Sequence, residues 1–480
     1  MQKIRCTGRM KTLSKNLHIS LKLAIWSCIA IIPIMNTRSL EVVFWLLLLS
    51  FIFNPEKWQR ISDNALFLLL MLQYPIINIL RIYFTPGHDY EIISSPARYE
   101  MWIYCIIALF LATVFFDDKS THRYARVFLP FGIILTFGLA AYQFHMAGNG
   151  HIRMWNANVF EAPLFATTLS FIFFAMANKD QKLTVVFASF LIVLTIILTT
   201  SYTGRRGIFV GQVVAVASVG ILLLFSGKYK LGATLIATFV TATLVGIVID
   251  LSYSGAFWGR LDVIFDLLHE NQKEAAFALF AFCFMFFLSR FLKIRQNFQP
   301  SRGYLLVASI AAGLILTASI ISYMSSFDAF ETIKQTLIHN RNIASQSDPG
   351  STGVRLEFAY QGVMALQDNL VFGLGAHLEP YLAQAVQGGH LHLHNNYLSW
   401  LIWGGLITLT SGLIWLFAPV ILISRSRNFT IAIPCLMIAL LWSVSLLFDS
   451  FLSWKNFTYV YIALICLGYQ ISRSNAKAAT

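Results

Sequence analysis

Apolar stretches long enough to cross a bilayer recur from one end of the chain to the other, and they leave few folds open. They are Leu21–Met35, Val42–Phe53, Ala65–Phe84, Met101–Phe116, Val127–Phe144, Phe160–Ala177 and Leu183–Thr199, then Ile208–Phe225, Leu231–Ile249, Ala275–Leu288 and Tyr304–Tyr323. Tyr397–Ile423, Ile431–Phe448 and Phe457–Tyr469 follow a long polar segment. One crossing takes about 20 residues, within a range of about 17–25. Val42–Phe53 and Ala275–Leu288 fall short of it, so the expected number of spans is about 12–14. The fold class that follows is an all-α polytopic membrane protein. Composition agrees: the chain is 57% hydrophobic and 12% charged, where a soluble domain carries about 25% charge.

A net charge of +13 would suggest nucleic acid in a soluble protein. Here the basic residues sit in short loops between apolar runs, so they report topology, and no nucleic-acid partner is expected. With the N-terminus in the cytoplasm and spans alternating, the inside loops hold Lys57 and Arg60; Lys119, Arg123 and Arg126; Lys179 and Lys182; Lys228 and Lys230. Arg290, Lys293, Arg295, Arg302, Arg425, Arg427, Arg473 and Lys477 continue the series. The tail Met1–Leu21 is basic before it turns apolar, and no small-x-small cleavage site follows, which reads as a retained first span. Cys6 lies in that tail and the other five cysteines in apolar runs, without a CxxC pair, so neither a disulfide nor a thiolate metal site is expected.

The largest outer loop runs from about Ser325 to His394. Asp328–His339 and Val354–Leu370 carry apolar residues near a 3.6-residue period, and Gly350, Gly353, Gly373 and Gly375 punctuate the rest. Such a segment is too long for a connector and reads as a mainly helical cap over the outer face. The organisation is a transmembrane bundle over residues 1–324, the loop over 325–395, and C-terminal transmembrane helices over 396–480.

Outward basic residues need a reason. Thr199 to Gly207 joins two spans through a short outer turn holding Arg205 and Arg206. The pair snorkels to lipid phosphates, or it clamps a phosphate or diphosphate, whose oxygens a guanidinium binds bidentately while staying charged. Arg355 either pairs with Glu357 or Asp348 or is a second phosphate ligand. His390, His392 and His394, at i, i+2 and i+4, would share one face of a strand, an arrangement that can ligate zinc. No carboxylate or cysteine lies beside them in sequence to complete such a site, so no metal is expected. Loop carbonyls could instead satisfy them. The reading favoured by position is general base chemistry, since His394 stands where the loop re-enters the membrane and a neutral imidazole titrates near neutrality. Asn395 beside it could orient the ring or the substrate. Arg153 opens one span from the outside and Asp449 ends another, each a substrate-binding candidate or a structural residue.

These residues resemble the O-antigen ligase family, within the wider ligase and polymerase superfamily of polysaccharide assembly. The family's histidine motif is His, then Asn, Ser or Gln, nine residues, Gly, two residues, then Gly, Thr or Tyr. His394-Asn395, followed after nine residues by Gly405-Leu406-Ile407-Thr408, matches it throughout. The Gly-x-Arg setting of Arg355 resembles the family's second essential arginine, and Thr203-Gly204-Arg205-Arg206-Gly207 its first, with the arginine doubled here. The likeness covers roughly Arg153 to the C-terminus.

What the resemblance implies is an inverting, metal-independent and cofactor-free glycosyltransferase of the membrane-embedded GT-C type. Its donor would be a polysaccharide on undecaprenyl diphosphate, its acceptor a sugar hydroxyl of lipid A-core, and its site would face the periplasm from the bacterial inner membrane. His394, Arg355 and Arg206 would be catalytic, with Arg205, Arg153, His392, Asn395 and Asp449 binding substrate. A polymerase of the same superfamily would use the same donor and a second lipid-linked glycan as acceptor, and no residue separates the two. A transporter of lipid-linked polysaccharide is expected to show repeated halves and Gly/Pro-broken spans; neither is visible in the sequence, and the large one-sided loop favours an enzyme.

Overall fold

The computed structural model describes residues 19–34, 40–84 (except 55), 95–147 (except 119), 161–177, 182–202, 206–253, 352–386, 392–424, 432–449, 452 and 455–477, with 17, 335 and 338. Its helices are α1 Ile19–Ile31, α2 Leu40–Ile52, α3 Lys57–Asp63, α4 Ala65–Phe84, α5 Tyr99–Phe116, α6 Thr121–Ala147, α7 Glu161–Ala177, α8 Lys182–Ile197, α9 Arg206–Phe225 and α10 Tyr229–Tyr253. Two loop helices follow, α11 Thr352–Ala365 and α12 Glu379–Val386, and then α13 Asn396–Ser424, α14 Ile433–Ser445 and α15 Lys455–Lys477. Among the described residues seven helices are long and apolar enough to cross a membrane, and four shorter apolar ones accompany them. The chain is an all-α polytopic membrane protein. Twelve of the apolar stretches read from sequence coincide with helices; Ala275–Leu288 and Tyr304–Tyr323 lie outside the described residues. So does nearly all of Asp328–His339. The second loop helix ends at Ala365, with turns continuing to 372, and α12 was not expected.

Inside a bilayer, lipid tails are as apolar as leucine, so helices associate through close packing and shared polar contacts. Both devices are present. Gly207 and Gly211, four apart on α9, bring that helix against α14. A Cβ built on Gly211 would lie 2.8 Å from the Leu441 carbonyl oxygen, and one on Gly207 would lie 2.5 Å from Cβ of Phe448. Trp442 on the same α14 donates its indole N–H to Thr168 of α7 at 3.0 Å. Large rings fill the centre. Tyr74 of α4 stacks on Trp415 of α13, ring centroids 4.9 Å apart, and meets Trp400 and Trp102 edge-on. Trp415 and Trp442 both pack on Tyr461 of α15.

Hydropathy reads α13 as one continuous span, but its helix is interrupted. Gly404 and Gly405 leave helical geometry, Gly405 at φ +61°. In an unbroken helix the Leu406 N–H would bond the Ile402 carbonyl. Instead Leu406 N–H donates to the Leu370 carbonyl at 2.9 Å, and the Ile402 carbonyl accepts from Leu374 and Gly375 at 2.6 and 2.9 Å. The loop between α11 and α12 is spliced into the hydrogen-bond ladder of the span. Gly373 at φ +70° makes the turn, and a Cβ on Gly405 would strike the Val371 carbonyl oxygen at 2.2 Å. The Trp403 carbonyl, beside the break, accepts from the buried Arg81 of α4 at 3.0 Å.

At the other end of the bundle a charged cluster joins chain segments far apart in sequence. Asp118, between α5 and α6, accepts from Lys22 at 2.8 Å and from Arg60 at 3.3 Å. Arg473 of α15 donates to Asn64 at 2.6 Å and to Asp117 at 3.3 Å. Lys57–Asp63, the α5–α6 turn and the end of α15 therefore share one end, as the charge alternation expects. Burial alone would raise the Asp118 carboxyl, but hydrogen bonds from Lys22 and Ser120 outweigh it and hold it well below the usual carboxylate range.

Two outcomes follow from the packing. Gly211→Ala, forced against a backbone carbonyl, is expected to cost about 1–3 kcal/mol of overpacking and lower the unfolding temperature in nanodiscs. Gly138→Ala, with nothing within 4 Å of the added carbon, leaves it unchanged. The Asp118 carboxyl sits below its unfolded value, so its contribution is complete above about pH 3.9 and fades as pH falls toward the folded value. Asp118→Asn should thus lower the unfolding temperature at neutral pH. Melting curves across pH should show that gap closing only below about pH 4.

Candidate functional site

The polar edge forms where the cap chain turns into α13. Asn395 starts that helix: its side-chain oxygen accepts from the Tyr397 and Leu398 N–H groups at 3.0 and 3.1 Å, the N-cap arrangement. Of the roles expected for Asn395, the structure shows a third, helix capping, for its oxygen. Asn396 ties the turn to the chain after α14: its N–H donates to Leu446 O at 2.8 Å, and its side-chain oxygen accepts from Leu452 N–H at 2.9 Å. These bonds bring residues 394–396 beside residues 446–452 although some fifty positions separate them.

His394 precedes the cap at φ +52°, the one non-glycine residue with positive φ among those described. Histidine is among the few residue types enriched there, yet the conformation is uncommon and needs support from its surroundings. Three contacts give it. Nδ1 of His394 lies 3.3 Å from Oδ1 of Asp449. Its ring packs on Phe358 of α11, centroids 5.7 Å apart. The neighbouring Leu393 N–H donates to Glu379 at 3.2 Å. With Nδ1 protonated and donating to the carboxylate, Nε2 is the basic nitrogen, a tautomer set by the partner. The His394 side chain is 28% exposed and that of Asp449 19%.

α11 lays one face on this edge. Phe358 covers His394, and Gly362, one turn on, admits Leu398 of α13: a Cβ there would be 2.7 Å from the leucine. Arg355 is three residues before Phe358, so it continues the same face toward solvent and is exposed. Of the two pairs expected as alternatives, Arg355–Glu357 is not seen among the described residues, where Gln361 donates to that carboxylate at 2.9 Å, and Asp348 lies outside them. Arg206 is the first residue of α9, and the adjacent Gly207 packs on Phe448, the neighbour of Asp449. The backbone of Arg206 is thereby set beside the His394–Asp449 pair. Arg205, Arg153 and His390 lie outside the described residues.

His392 and His394 do not converge on one point. His392 faces Glu379, its Nδ1 3.8 Å from Oε1, an electrostatic contact longer than a hydrogen bond. His394 faces Asp449. The zinc reading needs a common face, and these two side chains turn to different carboxylates.

Three groups escaped the sequence reading. Glu379 is fully buried at the start of α12 and accepts from Ser399 at 2.5 Å and Trp403 at 2.6 Å. Burial alone would raise its carboxyl; the His392 ring and the two donors outweigh that and hold it below the ordinary carboxylate value. Arg81 is the second. Gln212 is the third, buried on α9 between Thr167 and Thr199, to which it donates at 2.7 and 2.8 Å. The neighbouring turn Leu198–Tyr202 is π-helical and leads directly into the doubled arginine; such turns recur at functional sites. Arg81 and Gln212 were open to suspicion from sequence, as a charged and a polar residue in apolar runs, whereas Glu379 was not.

Residues 263–411 match the domain of the family described as O-antigen ligase. Arg355, Glu379, His394 and the broken turn at Gly404-Gly405 lie inside the matched segment, while Arg206 and Asp449 lie outside it. No curated protein matches the chain. The match covers less than half of the chain and does not separate a ligase from a polymerase.

Proposed function

From that domain and the pair at its edge, we propose that this protein is an O-antigen ligase of the bacterial inner membrane. It transfers O-polysaccharide from undecaprenyl diphosphate to a sugar hydroxyl of lipid A-core at the periplasmic face. The observation that carries the reading is His394 held against Asp449 on one side and Phe358 on the other, with Arg355 one turn away and the start of α9 alongside.

The chemistry is a single displacement. The acceptor hydroxyl gives its proton to Nε2 of His394 as its oxygen attacks the anomeric carbon. The bond from that carbon to the diphosphate oxygen breaks on the opposite face, which inverts the configuration. The imidazolium formed is stabilised by Asp449. The departing diphosphate gains negative charge, and Arg355 and Arg206, together with Arg205 and Arg153, are the cations that meet it. Groups arranged in advance for charge that develops in the transition state are commonly the largest catalytic contribution. The N–H groups at the start of α9 point the same way, since a helix N-terminus favours anions. In this reading His392 and the amide nitrogen of Asn395 contact sugar hydroxyls.

Transfer of lipid-linked polymer to lipid A-core, assayed in membranes at matched expression, tests this. His394→Ala is expected to lose about 10²–10⁴-fold in rate, and Asp449→Asn to lose activity with the protein still inserted. Arg355→Ala should be as damaging, and Arg355→Lys a poor rescue, because a point charge cannot reproduce a bidentate fork. Of the doubled pair, Arg206 should be the more sensitive. Near wild-type transfer by His394→Ala would remove the base from the mechanism. The lipopolysaccharide of a deletion strain decides between the superfamily's two reactions. Loss of the ladder with accumulation of lipid-linked polymer is expected; core bearing a single repeat unit would make the protein a polymerase.

A further inference from the structure

We infer that Glu379 is a positioning residue for the base: a buried carboxylate that holds the 392–394 segment so that His394 keeps its place against Asp449. The inference rests on His394 acting as the base.

A fully buried carboxylate is costly unless its oxygens are satisfied. Those of Glu379 are satisfied from three directions that meet at the site. From α13 come the Ser399 hydroxyl at 2.5 Å to Oε1 and the Trp403 indole at 2.6 Å to Oε2. These donors are four residues apart and so share one helix face. From the histidine segment comes the Leu393 N–H at 3.2 Å to Oε1, with His392 Nδ1 at 3.8 Å. From its own element, Glu379 stands in the first turn of α12, where the helix dipole favours an anion. One carboxylate thus joins the cap helix, the first two turns of the re-entering span and the residue directly before His394.

The reach of this arrangement explains why a lone glutamate stays in so apolar a place. His394 has only one peptide between its φ +52° backbone and the Leu393 N–H. Rotation of that peptide would swing the imidazole away from Asp449. On the other side, the Asn395 oxygen fixes the following turn. Glu379 and Asn395 therefore hold the strained residue from both flanks, one through a buried charge and one through a helix cap. The backbone carbonyl of Trp403 itself accepts from Arg81. The same tryptophan thus ties Glu379 to the break in the span.

The test uses the full chain in nanodiscs, with lipid-linked polysaccharide and lipid A-core as substrates. Glu379→Gln keeps the volume but replaces one acceptor oxygen by a donor. Displacement of a reacting group by about 1 Å can cost about 10²-fold, so kcat is expected to fall by about 10–100-fold while KM for the donor stays within about twofold. The His394 ring should also become more reactive toward diethylpyrocarbonate, read by peptide mass, with the unfolding temperature unchanged. Wild-type kcat and unchanged labelling of His394 would overturn the inference, as would a fall in kcat matched by an equal loss of folded protein. Should Glu379→Gln fail to reach the membrane, Ser399→Ala and Trp403→Phe each remove one donor: lowered kcat with faster labelling supports the role, and wild-type values for both overturn it. His394→Ala in the same assay separates the two ideas. If it is inactive while Glu379→Gln is normal, only the positioning role fails; if it is active, the base assignment and the positioning role fail together.

Discussion

Within hydrocarbon, each backbone N–H and C=O must find a partner inside the protein, and the broken turn of α13 is where this demand shapes everything around it. Gly404 and Gly405 uncouple Leu406 from Ile402, and the chain between α11 and α12 supplies both replacement bonds. A cap segment that completes the hydrogen-bond ladder of a span is fixed in height and rotation against it. That fixes α12, which carries Glu379, and α11, which carries Phe358 and Arg355. Arg81 completes the arrangement from α4 by satisfying the Trp403 carbonyl, with its second Nη bound to the Pro96 carbonyl at 2.9 Å. A buried arginine in a span is expensive, and here its two Nη groups are satisfied by backbone oxygens, that of Pro96 shared with the Trp102 indole.

The site edge is then assembled from elements remote in sequence by short-range means. α14 delivers Asp449 and, through the glycine face of α9, the backbone of Arg206. α13 delivers His394 through a capped turn. α11 closes over the ring. Each contribution has a separate cause: small residues for α9 and α14, an Asn cap for α13, an aromatic contact for α11. Under the proposed mechanism the separation is useful, because base and cations must approach opposite sides of the anomeric carbon.

Much of the bundle was legible because hydropathy has a physical counterpart: Ala65–Phe84 was bounded at both ends, and the charge alternation grouped Arg60 and Arg473 correctly with the α5–α6 turn. The break in α13 was not legible. Gly-Gly within a strongly apolar run leaves the hydropathy unaltered, and its partner loop lies thirty residues upstream in a segment read only by glycine spacing. Glu379 escaped for a related reason. Its burial depends on Ser399 and Trp403 turning toward it, which is tertiary information. Asp449 and His394 were each visible as candidates, since a polar residue at the outer end of a span invites suspicion, but their pairing was not. The capping role of the Asn395 oxygen was not read beside the roles of orienting the ring or the substrate, although Asn before an apolar run is itself a start signal.

In the proposed reaction one displacement links the acceptor oxygen to the sugar, with base and leaving group on opposite sides. The configuration of the new linkage measures this most directly. Purified protein in nanodiscs, given a lipid-linked donor of known anomeric configuration, would yield a product whose linkage is read by NMR coupling constants. An inverted anomeric centre is the predicted result. A retained one would require a covalent intermediate or a different geometry and would contradict the roles given to His394, Asp449 and the arginines.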